Sequence, residues 1–317
     1  MLWWARKPAS QIDDFRADVI AGLGLVRKSL SCRWLYDERG SALFEEITRL
    51  EEYYPTRTET AILRQNARAI ADFCGEEALL FEYGAGAAIK TEILLDALTS
   101  PRLYIPIDIA ADCLDQTIER LRHRYPRLKT WPVVADFTDD FDLPHDLPDG
   151  RRSAFFPGST IGNLNETETG SFLRRLRRHM GPRGAAIIGV DFKKDLGTLI
   201  AAYDDRAGVT AEFNRNILVR INRDLGGNFP LDRFAHEARW NDAESAVEMH
   251  LVSLDACVVT VDGQAFEFRP GETIHTESSR KYDPRKFAEI AEANGWRLRR
   301  IWDDAGHRFG VFGLMAA

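Results

Sequence analysis

Residues 79–91, with the sequence LLFEYGAGAAIKT, constrain the fold of this chain most strongly. A short apolar run ends in an acid, two glycines follow one residue apart, and an apolar helical pattern continues from Thr91 to Leu98. This order predicts a strand, a tight loop and a helix. In an open α/β sheet, such a loop presents backbone N–H groups to a nucleotide-like ligand at the carboxyl edge of the strands.

The glycine spacing disfavours a dinucleotide as that ligand. Gly84 and Gly86 can adopt positive φ and allow a close backbone approach. The dinucleotide fingerprint requires a third glycine at position 89, where this chain has Ile89. An E-x-G-x-G loop is also the first motif of S-adenosylmethionine methyltransferases, whose ligand combines an amino acid and a nucleoside without a phosphate. An ordinary strand-to-helix turn is the alternative for two glycines alone.

Further acids end the next predicted strands. Asp108 ends an apolar stretch 24 residues after Gly84 and could accept hydrogen bonds from both ribose hydroxyls. Asp136 ends the following stretch and could bind the adenine amino group, while Phe137 covers the ring. With Glu82, these acids would all lie at the carboxyl edge of the sheet. Their order favours a cofactor site over an ordinary turn.

Composition and charge narrow the class of protein. The chain has 317 residues, 44% of them hydrophobic and 29% charged, which is enough for a globular protein with two subdomains. The net charge of −7 disfavours a nucleic-acid partner. The four cysteines are scattered without a C-x-x-C motif, so we expect free thiols in a reducing compartment and no metal site.

No apolar run reaches the length that a membrane span requires, so no membrane partner is expected. The N-terminal sequence MLWWARK lacks the apolar core and cleavage pattern of a signal peptide. These observations predict a soluble cytoplasmic protein, for which we expect a monomer.

Strand and helix patterns alternate around the glycine loop. This alternation predicts an α/β domain with a mostly parallel sheet. The predicted strands lie near residues 79–83, 103–108, 131–135, 153–156 and 185–191, and the helices near residues 90–99, 110–124 and 166–180.

The segment that precedes the glycine loop is predicted to be mainly helical. Apolar residues recur at helical spacing over residues 10–27, and a short helix is expected over residues 43–47. Pro55 disfavours helical geometry at Tyr54, so the chain should break there before a further helix to about residue 73.

The pattern changes after Asp191. Two helices are predicted, followed by short strands that we expect to form one antiparallel hairpin set, with Asp262-Gly263 as its turn. The predicted helices cover residues 195–206 and 209–223, and the predicted strands cover residues 246–252, 257–261 and 265–268. A helix over residues 284–293 and strands over residues 298–302 and 309–314 then return to the α/β pattern, so residues 194–281 are interpreted as an insertion.

Three segments offer polar groups for a substrate, and each has a plainer interpretation. Asn163 follows the fourth strand but could cap the helix that starts near residue 166 or be a turn residue before it. Tyr203 could be a core tyrosine with a satisfied hydroxyl. Glu277 could be a surface strand residue. His275 should share its strand face, where an ion pair or an exposed histidine is expected more than a catalytic base.

Several motifs resemble those of the histidine Nα-methyltransferases of ergothioneine biosynthesis. The resemblance extends over nearly the whole chain. The motifs are GSALFEEITRL at residues 40–50, EYYPTRTE at 52–59, GSTIGNL at 158–164, YDDRAGVT at 203–210, FNRN at 213–216 and TESS at 276–279. This family has a Rossmann-like methyltransferase domain and a second α+β substrate-binding domain. The resemblance implies that residues 58–193 and 282–317 form the first domain, and residues 1–57 and 194–281 the second.

The resemblance also implies a role for each candidate residue. S-adenosyl-L-methionine would be the cofactor, and the predicted cofactor-binding residues are Gly84, Gly86, Lys90, Asp108, Asp136 and Phe137. L-Histidine would be the substrate, and its predicted binding residues are Tyr53, Asn163, Tyr203, Met249, Glu277 and Ser279. Tyr36 and Tyr53 are the predicted catalytic residues.

The resemblance assigns different residues to the carboxylate, the imidazole and the amino group of the histidine substrate. Asn163 and Tyr203 would bind the histidine carboxylate, with Tyr53 close by. Glu277 and Ser279 would bind the imidazole, and the predicted pocket for that ring is completed by Met249. Tyr36 would lie near the amino group.

One departure from the family concerns the residues after the second glycine. The family usually has Ser or Thr there, whereas this chain has Ala87-Ala88, which would weaken a hydrogen bond to the methionine part of the cofactor. The substrate motifs are not affected by this departure.

The leading hypothesis is trimethylation of the α-amino group of L-histidine to hercynine, the first step of ergothioneine biosynthesis. One alternative is a methyltransferase of the same fold acting on another amino acid. Glu277 disfavours an indole-bearing acceptor. A second alternative is a non-catalytic sensor that binds histidine or S-adenosylmethionine. A third is an NAD-dependent oxidoreductase, which Ile89 disfavours because it replaces the third glycine of the dinucleotide fingerprint.

Overall fold

The structure is a computed structural model, and it describes residues 3–4, 11–86 and 88–317. The strands of this part of the chain are β1 (Trp3–Trp4), β2 (Leu79–Tyr83), β3 (Leu103–Asp108), β4 (Val133–Val134), β5 (Arg152–Phe156), β6 (Ala185–Asp191), β7 (Phe234–Asn241), β8 (Ala246–Ser253), β9 (Cys257–Val261), β10 (Gln264–Phe268), β11 (Thr273–Arg280), β12 (Trp296–Asp303) and β13 (Phe309–Ala316).

The α-helices are α1 (Gln11–Leu23), α2 (Glu38–Ile47), α3 (Tyr54–Cys74), α4 (Ile89–Ala97), α5 (Ala111–Arg124), α6 (Glu166–Met180), α7 (Leu196–Ala201), α8 (Val209–Leu225) and α9 (Pro284–Ala293). None of these described helices combines the length and the apolar character that crossing a membrane requires.

The chain divides into two compact units. The first unit comprises Pro55–Lys193 and Lys281–Ala317, together with β1. The second unit comprises Lys194–Arg280 and, before Pro55, residues 11–54 of the described chain. The assignment of the first unit to the cofactor and the second to the substrate stays a prediction.

The first unit is built on one sheet with the strand order β1-β4-β3-β2-β5-β6-β13-β12 in the described chain. The pairs from β1 to β6 are parallel, and β13 pairs antiparallel with both β6 and β12. This mixed but mostly parallel sheet, with helices between its parallel strands, confirms the predicted α/β class. The predicted strands and helices of this unit are present, although β4 is shorter than its apolar pattern.

Helices cover both faces of the central strands, which explains their continuous apolar runs. Every residue of β2 and of β6 is buried. Leu80 lies in a core with Ile62 of α3, whereas Phe81 lies in a core with Phe172 of α6 and Phe287 of α9. Because both faces of β2 are packed, the position of its carboxyl end, where the glycine loop begins, is strongly determined.

The second unit contains a three-stranded antiparallel sheet of order β11-β8-β7 and a separate hairpin of β9 and β10. The turn at Asp262-Gly263 is confirmed, and Asp262 has a positive φ of 49°. The prediction that the strands from residue 246 to 268 form one hairpin set is wrong. β8 pairs with β7 and β11. β7 was not predicted, and for β11 only a strand around Glu277 was suggested, because the side chains of these strands do not alternate regularly between apolar and polar.

Three helix boundaries in the N-terminal segment differ from the predictions. α2 begins at Glu38, five residues before the predicted start near residue 43. α1 ends at Leu23 rather than near residue 27, because Gly24 follows; residue 10 lies outside the described residues. α3 begins at Tyr54, where a break was predicted. Pro55 is then the second residue of the helix, and proline is tolerated in the first turn because the N–H it lacks has no helical acceptor there.

Candidate active site

The glycine loop of the first unit has the backbone conformation that its sequence predicts. Gly84 and Gly86 have φ angles of +68° and +46°, which favour glycine. The N–H of Gly84 donates to the carbonyl of Ile107 at 2.8 Å, and the carbonyl of Gly86 accepts from Thr117 Oγ1 at 2.8 Å. These bonds attach the loop to the end of β3 and to α5.

Asp108, at the end of β3, lies directly beside this loop. Its Oδ2 accepts from the N–H of Gly86 and its Oδ1 from the N–H of Ala110, both at 2.9 Å. Burial raises the pKa of Asp108, the two backbone donors lower it, and the negative charge of Asp136 raises it again. The structure therefore brings these two predicted cofactor-binding acids together at the carboxyl edge of the sheet.

Phe137 borders the same loop. A Cβ atom added to Gly84 would lie 3.4 Å from the Phe137 ring. The ring packs edge-on against Phe156, at a centroid distance of 5.3 Å, which holds it in place. Asp136 accepts from the N–H and the hydroxyl of Thr138, at 2.8 and 2.5 Å. Two acceptor carboxylates and one aromatic edge around an open glycine loop fit a nucleoside.

Glu82 differs from the other two acids. Its carboxylate is buried and accepts hydrogen bonds from the hydroxyls of Thr91 and Tyr104. Burial raises the pKa of Glu82 to about 7, although these two hydrogen bonds lower it. Glu82 lies at the carboxyl end of β2, as predicted, but its carboxylate connects β2 to α4 and β3.

Lys90 lies in the first turn of α4, and its ammonium pairs with Glu59 of α3 at 2.5 Å. No role was predicted for Glu59 from the sequence. The available signal was its place in the motif EYYPTRTE at residues 52–59. Ala87 lies outside the described residues, so the predicted weakening of a hydrogen bond at Ala87-Ala88 stays a prediction.

Asn163 is half-buried and ends a short 3-10 helix, Thr160–Asn163, after β5. The alternative that Asn163 caps the next helix is wrong. Asn165 caps α6 instead, because its side chain accepts from the N–H of Glu168 at 3.0 Å and Glu168 bonds back to the Asn165 N–H at 2.7 Å.

In the second unit, a bulge in β11 determines which side chains share a face. Glu277 lies opposite Met249, whereas His275 lies opposite His250, and the register shifts between them at Thr276. Glu277 therefore shares its face with Met249, and His275 lies on the opposite face. The prediction that His275 and Glu277 share a face is wrong, because the extra residue in the bulge reverses the alternation.

The Glu277 face continues to Ser279 and Tyr203. Ser279 lies two residues after Glu277, and its Oγ is 2.7 Å from the hydroxyl of Tyr203. The side chains of Glu277, Ser279, Tyr203 and Met249 are all buried. Tyr203 thus has the satisfied hydroxyl of a core tyrosine, and its partner is a predicted substrate-binding residue.

A chain of aromatic rings leads from Tyr203 to Tyr36. Tyr53 lies 6.1 Å from Tyr203 and 6.1 Å from Phe44, and Phe44 lies 5.5 Å from Tyr36, measured between ring centroids. Tyr36 also contacts Phe213, at 5.4 Å, a residue of the motif FNRN to which no role was assigned.

The environment of Tyr36 keeps it protonated. Burial raises the pKa of Tyr36 well above its ordinary value, and the negative charge of Glu277 raises it further. The predicted residues of this unit therefore form one cluster, which comprises Tyr36, Tyr53, Tyr203, Met249, Glu277 and Ser279. A buried acid, three phenols and a hydroxyl in one cluster suit a small polar ligand with an aromatic or cationic part.

Comparison with known proteins places this chain in a family. A family model described as histidine-specific methyltransferase, SAM-dependent, matches residues 15–316. The histidine N-alpha-methyltransferase of Mycolicibacterium smegmatis is 42% identical over 309 residues, which cover 95% of each chain. The protein of the same name from Mycobacterium tuberculosis is 42% identical over 95% of this chain and 94% of its own.

A more distant relative has a different name. The N-methyltransferase imqF of Aspergillus flavus is 26% identical over 96% of this chain and 85% of its own length. The predicted enzyme class and the predicted cofactor are confirmed by these matches. This chain belongs to the family of histidine-specific, S-adenosylmethionine-dependent methyltransferases.

Proposed function

We propose that this protein transfers three methyl groups to the α-amino group of L-histidine and forms hercynine, the first step of ergothioneine biosynthesis. The observation that carries the proposal is the shared face of Glu277, Ser279 and Met249, with the Tyr203 hydroxyl on Ser279. The two mycobacterial relatives, which match along almost their whole length, are named as histidine N-alpha-methyltransferases and support it.

Glu277 accounts for the choice of histidine. Its carboxylate is 7% exposed and accepts an imidazole N–H in the proposed complex. A substrate with an apolar side chain could not form this hydrogen bond to the buried acid, and its binding would be weaker by about 1–3 kcal/mol. Met249, which is buried beside it, offers a polarisable thioether to the ring edge.

Tyr53 and Tyr203 are proposed to bind the histidine carboxylate. A phenol hydroxyl can donate one hydrogen bond while it accepts another. Tyr203 can therefore donate to a carboxylate while it accepts from Ser279, 2.7 Å away. Asn163 belongs to the other unit, and its predicted contact with the same carboxylate stays a proposal.

Tyr36 is proposed to orient the amine. Methyl transfer requires a neutral amine, and a free α-amino group has a pKa of about 8, so a useful neutral fraction is present near pH 7. Because its pKa is raised well above the ordinary value, Tyr36 remains a phenol and does not remove the proton itself. We propose that water accepts the proton.

The aromatic rings beside Tyr36 suit the growing charge. Each methylation brings the amine closer to a permanent cation. Ring faces of Tyr36, Phe44 and Tyr53 can stabilise such a cation by on the order of 1 kcal/mol each. This favours repeated methylation over release after the first transfer.

The first unit is proposed to hold the cofactor. When bound, S-adenosylmethionine supplies a methyl group on a sulfonium. Asp108 would accept from the ribose hydroxyls, Asp136 from the adenine amino group, and Lys90 would bind the amino-acid carboxylate. The bound cofactor would also be bordered by Gly84, Gly86 and Phe137. Alignment of the amine with the S–CH₃ bond supplies much of the rate in such transfers.

The proposal is tested by mass spectrometry of reactions that contain the protein, S-adenosylmethionine and one common amino acid each. A product three methyl groups heavier, from histidine alone, is the expected result. Methylation of another amino acid would overturn the assignment of the imidazole pocket. Cofactor binding without any product would indicate a sensor.

We also propose that the protein acts as a monomer in the cytoplasm without a nucleic-acid or membrane partner. Light scattering on the purified protein tests the first part, because a dimer would have twice the mass of the chain.

A further inference from the structure

Glu59 is a fully buried carboxylate that the proposed reaction does not use. Its Oε2 lies 2.5 Å from Lys90 Nζ. Its two oxygens also accept from the backbone N–H of Gly158, at 3.0 and 2.8 Å. The Glu59 carboxylate thus contacts Lys90, a predicted cofactor-binding residue of α4, and Gly158, the first residue of the motif that contains Asn163.

The sheet leaves a specific space for this carboxylate. A Cβ atom added to Gly189 of β6 would lie 2.1 Å from Glu59 Oε1, far inside van der Waals contact. Any side chain at position 189 would therefore displace the carboxylate. The position of Glu59 is determined by a fully buried strand, so it is a rigid support for whatever it binds.

Among the residues that the structure describes, Glu59 is the hydrogen-bond partner of the Lys90 ammonium. Its side chain is 17% exposed, whereas that of Glu59 is not exposed at all. An ammonium group has three N–H donors, and the contact with Glu59 uses one of them. The long flexible stem of lysine would otherwise let the ammonium move toward water.

We infer that Glu59 is a positioning residue of the cofactor site, which holds the Lys90 ammonium in place for the carboxylate of the bound cofactor. The inference rests on the proposed cofactor role of Lys90. Two effects oppose each other when Glu59 loses its charge. Loss of orientation weakens binding of a carboxylate ligand, whereas loss of a nearby negative charge strengthens it. We expect the loss of orientation of the Lys90 ammonium to have the larger effect.

Calorimetric binding of S-adenosylhomocysteine, which carries the same amino-acid carboxylate, tests this without turnover. Glu59→Gln should weaken binding about tenfold, the effect of losing one charge-assisted hydrogen bond. Gly189→Ala keeps both charges but displaces the carboxylate, so it should weaken binding in the same direction. If Glu59→Gln does not fold, Gly189→Ala alone tests whether displacement of the Glu59 carboxylate weakens binding.

Glu92→Gln is the matched control. Glu92 lies on the same helix as Lys90 and pairs with Arg120 and Arg124. The same substitution there removes an ion pair of the same unit, and it should leave the affinity within about twofold of the parent, since each partly exposed pair contributes little.

A double-mutant cycle separates positioning from general support of the fold. If Glu59 acts through Lys90, Glu59→Gln should change the affinity less than about twofold in a Lys90→Met background. An unchanged or tighter affinity in the single variant would overturn the inference, as would an undiminished loss in the Lys90→Met background. Failure to methylate histidine would count against the proposed substrate alone, because these affinities are measured without it.

Discussion

The hydroxyl of Tyr203 lies 2.7 Å from Oγ of Ser279, inside the second unit. This contact joins the aromatic rings that lead to Tyr36 with the strand that carries Glu277. Tyr203 is proposed to bind the histidine carboxylate and Ser279 its imidazole, so this hydrogen bond connects the two parts of the proposed substrate site. Changes at either residue should therefore affect histidine more than the cofactor.

Ser279→Ala should raise KM for histidine about tenfold, because Tyr203 then loses the partner that orients its hydroxyl. The KM for S-adenosylmethionine should stay within about twofold. Ser278→Ala is the matched control, since Ser278 lies on the other face and bonds to His275 at 2.9 Å. Steady-state kinetics measures both KM values. An equal rise in KM for histidine in Ser279→Ala and Ser278→Ala would contradict the role proposed for Ser279.

Glu277→Ala should weaken histidine binding by roughly tenfold or more and leave S-adenosylhomocysteine binding nearly unchanged. The physical reason is the loss of a buried acceptor for the imidazole N–H. Glu237→Ala, at a partly exposed acid of β7 that pairs with Arg239, should have little effect on either ligand. Calorimetric titration with each ligand measures both affinities, and equal losses would argue against the role of Glu277.

Asp108→Ala should show the reverse selectivity. Loss of the carboxylate removes the proposed ribose acceptor and the two backbone contacts to Gly86 and Ala110, so affinity for S-adenosylhomocysteine should fall at least about tenfold. Histidine binding should change less. The same calorimetric titrations measure it, and a larger loss for histidine than for the cofactor product would refute the assignment.

Glu82 should make the folded state less stable as the pH rises. The pKa of Glu82 is raised from its ordinary value of 4.5 to about 7 in the folded protein. Between these values the folded protein keeps a proton that the unfolded chain has released, so the free energy of unfolding falls as pH rises through this window and is level above it.

Glu82→Gln should abolish this contribution and stabilise the protein above pH 7 by on the order of 3 kcal/mol. Urea unfolding at pH 5 and pH 8 measures the difference. Glu77→Gln, at an exposed acid that pairs with Arg102, is the control and should leave the pH dependence unchanged. Parallel pH profiles of Glu82→Gln and the parent would rule out the predicted ionisation.

Much of the first unit was predictable because its signals are local. The apolar run of β2, the glycines at 84 and 86 and the acid at 108 each depend on a few neighbouring residues. The strands of a parallel sheet that is covered on both faces are also continuously apolar, which makes them easy to find. The predictions for this unit are accordingly close to the observed element boundaries.

The second unit was less predictable. β7 is partly exposed along nearly its whole length, and β11 carries mainly polar side chains, so neither shows a clear alternation. The partners of β8 were therefore missed, and the hairpin of β9 and β10 was wrongly joined to it. Strand pairing depends on residues far apart in sequence, which a local pattern does not report.

The sequence by itself determined the α/β class, the glycine loop and, through its motifs, the candidate residues of both units. Only the tertiary structure decided that His275 lies on the opposite face from Glu277, since the bulge at Thr276 arises from pairing with β8. It also decided that Glu59 meets Lys90 and Gly158. Such contacts between distant residues depend on how the elements pack, because packing, and not local propensity, sets which buried polar groups become partners.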